Sequence, residues 1–157
     1  PEKIPGIINE FLGYFMVRKV SCGKDQIRVT ATTIRKLAGW LAAQGYITAN
    51  EAEEMEATAA QAFRDLPVAA ELEEALFDFI ENSPPLQGDE ELSDLFSVIK
   101  VEPGKLHLEG NGEEPVIVVP VTKKISNLCK NDWMLNLLLV KTEKGWRIAE
   151  SGCVYPL

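Results

Sequence analysis

The stretch Phe96-Ser-Val-Ile-Lys-Val-Glu102, Pro103-Gly104, Lys105-Leu-His-Leu-Glu109 decides the fold, because it reads as two short strands joined by a tight turn. Pro103 presets φ and Gly104 supplies the positive φ that a side chain resists, so the chain reverses there. Strands at this spacing belong to an antiparallel sheet. Asn111-Gly112 is a second turn signal, and the almost wholly apolar run from Pro115 to Val121 reads as a strand buried on both faces. A short helix is expected over Lys123 to Cys129. Asp132 to Thr142 is the longest strand candidate, Glu143-Lys144-Gly145 turns it into a partner over Trp146 to Ala149, and Cys153 to Tyr155 closes the chain. About five short strands with one helical excursion predict a small antiparallel β-barrel or strongly bent sheet.

Upstream of Ser83-Pro84-Pro85 the apolar period is helical. Ile4, Ile8, Phe11 or Leu12, Phe15 and Met16 mark a first helix, broken by the segment from Ser21 to Lys24. A second is expected from about Asp25 to Gln44, with Ile27, Ala31, Ile34, Leu37, Ala38 and Leu41 inside and Gly45 ending it. Thr48-Ala-Asn-Glu51 has the capping-box pattern and opens a third, whose stripe is Ala52, Met55, Ala59, Ala62, Phe63 and Leu66. Pro67 suits the first turn of a fourth, continued by Val68, Leu72, Leu76, Phe79 and Ile80. The expected fold class is α+β: an N-terminal four-helix unit over 1–83, a linker over 84–94 and the β-barrel-like domain over 95–157. Burial in these stripes and strands accounts for the apolar residues with no apparent surplus.

The chain has 157 residues, 46% hydrophobic and 25% charged, which is ordinary for a globular protein. It begins at Pro1 without an initiator methionine, as expected of a trimmed chain or a piece of a longer one. The most apolar opening stretch, Ile4 to Val20, is interrupted by Asn9, Glu10 and Arg18, so neither a signal peptide nor a membrane anchor is expected. Cys22, Cys129 and Cys153 form no CxxC pair, and a reducing, cytoplasmic setting is expected. The net charge of −8 is unevenly spread: residues 1–48 carry +4, residues 49–97 carry −13 and residues 98–157 carry +1.

Chemistry-bearing candidates are sparse. His107 is the only histidine, so any Ser/His/Asp or Cys/His arrangement must pass through it, yet it alternates with Leu106 and Leu108 and reads as a surface residue opposite their core face. Gly110-Asn111-Gly112 is a hairpin rather than a phosphate loop. The acidic pairs Glu53/Glu54 and Glu73/Glu74 read as solvated helix faces, lacking the loop geometry of calcium or magnesium sites. Cys22 in Ser21-Cys22-Gly23-Lys24 is the thiol with a neighbouring cation, but no base accompanies it. No catalytic residue, metal site or cofactor is therefore expected. Arg18, Lys19, Lys24, Arg28, Arg35 and Lys36 lie on or beside the first two helices, where a basic face suits a phosphate backbone or balances the acidic segment that follows. Trp133 and Trp146 are candidates for base stacking, or for the core.

The residues Phe11-Leu-Gly-Tyr-Phe, Arg18-Lys19-Val20-Ser21, Thr33-Ile34-Arg35-Lys36-Leu37-Ala38-Gly39-Trp40-Leu41 and Gly45-Tyr46-Ile47 resemble the helical core-binding (SAM-like) domain of phage integrases and other tyrosine recombinases. The resemblance covers the first third to half of the chain and implies that Arg18, Lys19, Arg35 and Lys36 contact phosphates. The recombinase catalytic set of arginines, histidines and a tyrosine nucleophile has no counterpart in the second half. That half, with Val101-Glu102-Pro103-Gly104-Lys105-Leu106, Gly145-Trp146-Arg147-Ile148 and Val154-Tyr155-Pro156, is similar to the C-terminal part of prokaryotic proteins without an assigned role. The functional expectation is a non-catalytic binding or assembly module acting on a protein partner, with no membrane association. The alternative is a nucleic-acid-binding accessory protein using the basic face of the first two helices.

Overall fold

A computed structural model describes residues 4–11, 24–112 and 115–156. The architecture is α+β, with helices α1 (Ile4–Glu10), α2 (Lys24–Ala43), α3 (Ala49–Glu81) and α4 (Lys123–Leu128). The strands are β1 (Glu90–Glu102), β2 (Lys105–Glu109), β3 (Ile117–Pro120), β4 (Met134–Thr142) and β5 (Gly145–Tyr155). The chain forms two compact units, one ending at Pro67 and the other spanning Val68–Pro156. Residues of the expected first helix beyond 11 lie outside the described residues.

In the first unit, Ala38, Leu41, Ile47, Ala52 and Met55 form a small core. Helix α2 stops where Gly45 takes φ +73°, letting the Tyr46 N–H donate to the Leu41 carbonyl at 2.9 Å. The Thr48 box is formed as expected: the Glu51 N–H donates to Thr48 Oγ1 at 3.2 Å, and the Thr48 N–H donates to Glu51 Oε2 at 2.7 Å. Those hydrogen bonds hold the Glu51 carboxyl below its ordinary pKa.

The expected third and fourth helices are one. Helix α3 runs through Pro67, because Ala62, Leu66, Ala69, Leu72 and Leu76 keep an unbroken three-to-four spacing and all are buried. A proline inside a helix costs about 3 kcal/mol, whereas each large side chain buried returns ~1.5–3 kcal/mol. Among the described residues the N-terminal half carries α1, α2 and α3, and α4 lies between β3 and β4.

The second unit is a five-stranded antiparallel sheet of order β3-β2-β1-β4-β5. The expected barrel does not close: β3 and β5 approach within 8 Å between Cα atoms, but no ladder joins them. The central strand explains the curl. Residues Glu90 to Ser97 of β1 pair with β4, Ser97 to Glu102 pair with β2, and a bulge between Val98 and Lys100 bends the strand where it changes partners. On either side of that bulge Val98 and Val101 share the inner face with Leu108 and Leu106, and Lys100 joins His107 outside. Strand β1 begins at Glu90 rather than Phe96, and β5 is continuous to Tyr155. Strand β3 is an edge with Val118, and Val116 just before it, exposed, not a strand buried on both faces. Residues Ala69, Leu72, Ala75 and Leu76 of α3 complete the core over Phe96, Leu135, Leu137 and Leu139.

Candidate interaction surface

Helix α2 buries Ile34, Ala38 and Leu41, and its opposite face is not simply polar. Val29, Thr33, Leu37 and Trp40 follow one another at three-to-four spacing along that face, and all are exposed. Leu37, assigned to the buried stripe by its spacing, is on this outer side. Trp40 and Tyr46 are each 54% exposed, with ring centroids 5.8 Å apart at an interplanar angle of 44°. The cap at Gly45 brings them together, since the reversal it permits returns Tyr46 toward the last turn of α2. Part of the apolar surplus that spacing alone did not reveal is therefore here, and on α3 Phe77 and Phe63, the latter assigned to the buried stripe by its spacing, are exposed as well. A tryptophan left off the inward stripe of an amphipathic helix was the available signal.

Lys36 borders this stripe one turn before Trp40, and Arg35 stands farther round the helix. With Thr32 and Glu56 they line an open groove of about 300 Å³. The ion pairs found among the described residues, Lys100–Glu102, His107–Glu102 and Lys141–Glu90, include neither of them. Both side chains are exposed. Arg18, Lys19 and Cys22 lie outside the described residues, as do the side chains of Lys24 and Arg28.

In the second unit Leu106 and Leu108 are buried and His107 stands on the opposite face, paired across the sheet with Lys100 and Val118. The imidazole is more covered than a surface residue is expected to be: its side chain is 21% exposed and Nε2 sits 3.5 Å from Glu102 Oε2. Lys100 pairs with the same carboxylate and, ahead of His107, holds it below the ordinary range. Trp133 is buried with Lys130 over its ring, and Lys141 stands over Trp146, each at 5.5 Å from the centroid. Neither indole is thus an open stacking platform. Burial pushes the Cys129 thiol up to about 12, which makes it an inert core residue, while Cys153 is half-buried. No group of three or more His, Cys, Asp or Glu among the described residues is arranged to hold a metal ion. No helix among them is long and apolar enough to cross a membrane.

Two carboxylates have structural duties. Asp94 accepts from the Asn111 N–H at 2.7 Å, Asn111 Nδ2 at 2.8 Å and the Leu95 N–H at 2.7 Å, pinning the Gly110-Asn111-Gly112 loop to β1 and lowering its own pKa. Glu73 is turned from its neighbour Glu74: its Oε1 accepts the Val154 N–H at 2.7 Å, tying α3 to β5. Burial raises the Glu73 pKa against that bond. A raised carboxyl pKa means that protonation favours the folded state, a contribution fully present below the ordinary glutamate pKa and lost as pH rises through the folded value. Glu73→Gln keeps the acceptor and is expected to remove this pH dependence with little loss at neutral pH. Glu73→Ala leaves the Val154 N–H unpaired and is expected to cost about 1–3 kcal/mol in urea unfolding. Equal losses for the two variants would contradict this assignment.

Compared with known proteins, the chain matches no family model, no curated protein and no solved structure.

Proposed function

We propose that this protein is a non-catalytic binding or assembly module that engages a protein partner through the α2 surface centred on Trp40 and Tyr46. The observation that carries this reading is the exposed Trp40–Tyr46 pair on a helix whose other face is already buried in its own core. Tryptophan, tyrosine and arginine dominate the energetic centres of interfaces, because they bury large areas while keeping a polar handle. Lys36, one turn before Trp40 on the same side of α2, adds charge at the edge of that centre. A cytoplasmic setting suits Cys129 and Cys153, both free thiols.

A photoreactive residue placed at Thr33 tests the reading in cells. Discrete cross-links to protein are expected, and Trp40→Ala/Tyr46→Ala should abolish them while leaving the unfolding free energy within about 0.5 kcal/mol of the parent. Cross-links indifferent to both aromatics would refute it.

One observation favours a second reading, in which nucleic acid is the partner: Arg35 and Lys36 are exposed and stand outside every ion pair found among the described residues. Arg18 and Lys19 belong to the same proposal. Fluorescence polarisation against duplex DNA, single-stranded DNA and RNA decides between the two. Saturable binding that weakens with salt and in Arg35→Ala/Lys36→Ala supports the nucleic-acid reading, and its absence at low salt removes it.

A further inference from the structure

A groove of about 430 Å³ opens between the last turns of α3, the segment that follows them and the start of α4, wholly within the second unit. That volume is in the range of small-molecule sites. Ala75, Asp78, Phe79 and Asn82 fall at three-to-four spacing on one side of α3 and make one wall of it. Ala75 is buried and Phe79 is half-buried against the sheet core, so this wall is apolar at its base, and Pro84 adds further apolar lining. Lys124, on α4, belongs to the other wall.

The charges at this groove are not the ones a helix end calls for. The carbonyl end of a helix favours cations, yet the last turn of the 33-residue α3 holds Asp78 and Glu81 and no basic residue. Its carbonyls are capped from within the chain instead. Asn82 Nδ2 donates to the Asp78 carbonyl at 2.7 Å, and Ser83 Oγ donates to the Phe79 carbonyl at 2.6 Å. Those bonds fix the wall while leaving the Asp78 carboxylate uncommitted. A carboxylate beside the negative pole of its own helix is repelled there, and a bound cation relieves the repulsion. Asp78 and Lys124 are both exposed and line the same groove, but neither takes part in an ion pair among the described residues.

A purely anionic ligand would set its charge against Asp78, and a purely cationic one against Lys124. Only a ligand carrying both signs satisfies both walls. We propose that this groove binds a small zwitterion with an ammonium and a carboxylate, an amino acid or a short peptide. Its ammonium lies on Asp78, its carboxylate on Lys124 and its apolar side chain against Phe79 and Pro84. Being neutral overall, such a ligand is not repelled by the chain's net charge of −8. The site shares no residue with the α2 surface and goes beyond the interaction-module reading.

Heteronuclear NMR of the full chain titrated with the dipeptide Ala-Phe provides the test. Saturable shifts are expected at the amides of Asn82, Ser83 and Lys124 by about 10 mM dipeptide. Asp78→Asn and Lys124→Gln should each weaken binding about tenfold, since each removes one charge-assisted hydrogen bond. Both positions are exposed, so the urea midpoints of the two variants should match the parent. Blocked ligands identify which charge each side chain serves. N-acetyl-Ala-Phe should bind weakly and be indifferent to Asp78→Asn, and Ala-Phe amide should bind weakly and be indifferent to Lys124→Gln. Free phenylalanine, titrated in parallel, separates the two sources: affinity equal to the dipeptide's assigns an amino acid, and weaker binding assigns a peptide. Absence of saturable shifts, shifts centred elsewhere, or losses that do not follow this pairing of terminus with side chain would overturn the proposal.

Discussion

Phe96→Ala is expected to lower the unfolding free energy by about 3–5 kcal/mol, the largest single effect at any position considered. Phe96 is fully buried and belongs to the core that α3 completes with Leu72 and Leu76. It lies opposite Leu135 on β4 in the half of β1 that has not yet reached the bulge, so truncating it empties the centre of the sheet's inner face. Neighbouring side chains close such a cavity only in part: the loss combines the transfer free energy of the ring with the contacts its neighbours forfeit. Urea unfolding followed by the fluorescence of Trp133, buried in the same core, measures it directly. Ile99→Ala is the matched control, since Ile99 is the extra residue of the bulge and points outward, and its loss should stay within about 0.5 kcal/mol. A cost below about 1 kcal/mol for Phe96→Ala would show that the core is not organised around this ring.

Gly88→Ala is expected to cost about 1–3 kcal/mol, toward the upper end, although glycine-to-alanine changes in loops are usually mild. The reason is local. A Cβ at Gly88 would overlap the Lys141 carbonyl oxygen and stand 2.6 Å from Val140 Cγ1, and the obstacle is backbone within a paired strand. Relief requires β4 to move or the entry to β1 to swing away, and Glu90 is already committed to Lys141 by the ladder and by a 2.7 Å ion pair. Thermal unfolding should show a downshift of about 2–4 °C per kcal/mol for a chain of this size. Gly39→Ala provides the opposite expectation: it sits within α2 with open space around it, so the better helix former should stabilise by about 0.5–1 kcal/mol. If both changes shifted the midpoint alike, steric contact at Gly88 would not be the cause.

Much of the fold was legible because its signals are local. The capping box at Thr48 and Glu51, the glycine stop at Gly45, and the turns at Gly104 and Gly145 with φ +81° and +95° all depend on residues within one turn of each other. The α4 helix shows the same economy, Thr122 Oγ1 accepting the Ile125 N–H at 3.3 Å. The candidate site was legible only in part. Arg35 and Lys36 announced themselves by charge, whereas Trp40, Tyr46 and Phe77 did not, because an apolar residue on a helix is assigned to the core until the core is seen to be full.

The sequence by itself determined where α2 ends and α3 begins, the hairpin from Phe96 to Glu109, and the segregation of charge, since each follows from short-range hydrogen bonding, backbone preference or side-chain ionisation. Tertiary structure decided the rest. It carried α3 through Pro67, because inward residues on both sides of the proline remain in phase and their burial outweighs one missing hydrogen bond. It started β1 at Glu90, because a charged segment becomes a strand when β4 supplies the ladder, and it left the sheet open, because the bulge in β1 curls it without bringing β3 and β5 into hydrogen-bonding register. It also set Trp40 and Tyr46 at the surface, since Ile34, Ala38 and Leu41 already occupy the inner face of α2 and a helix has only one side to bury.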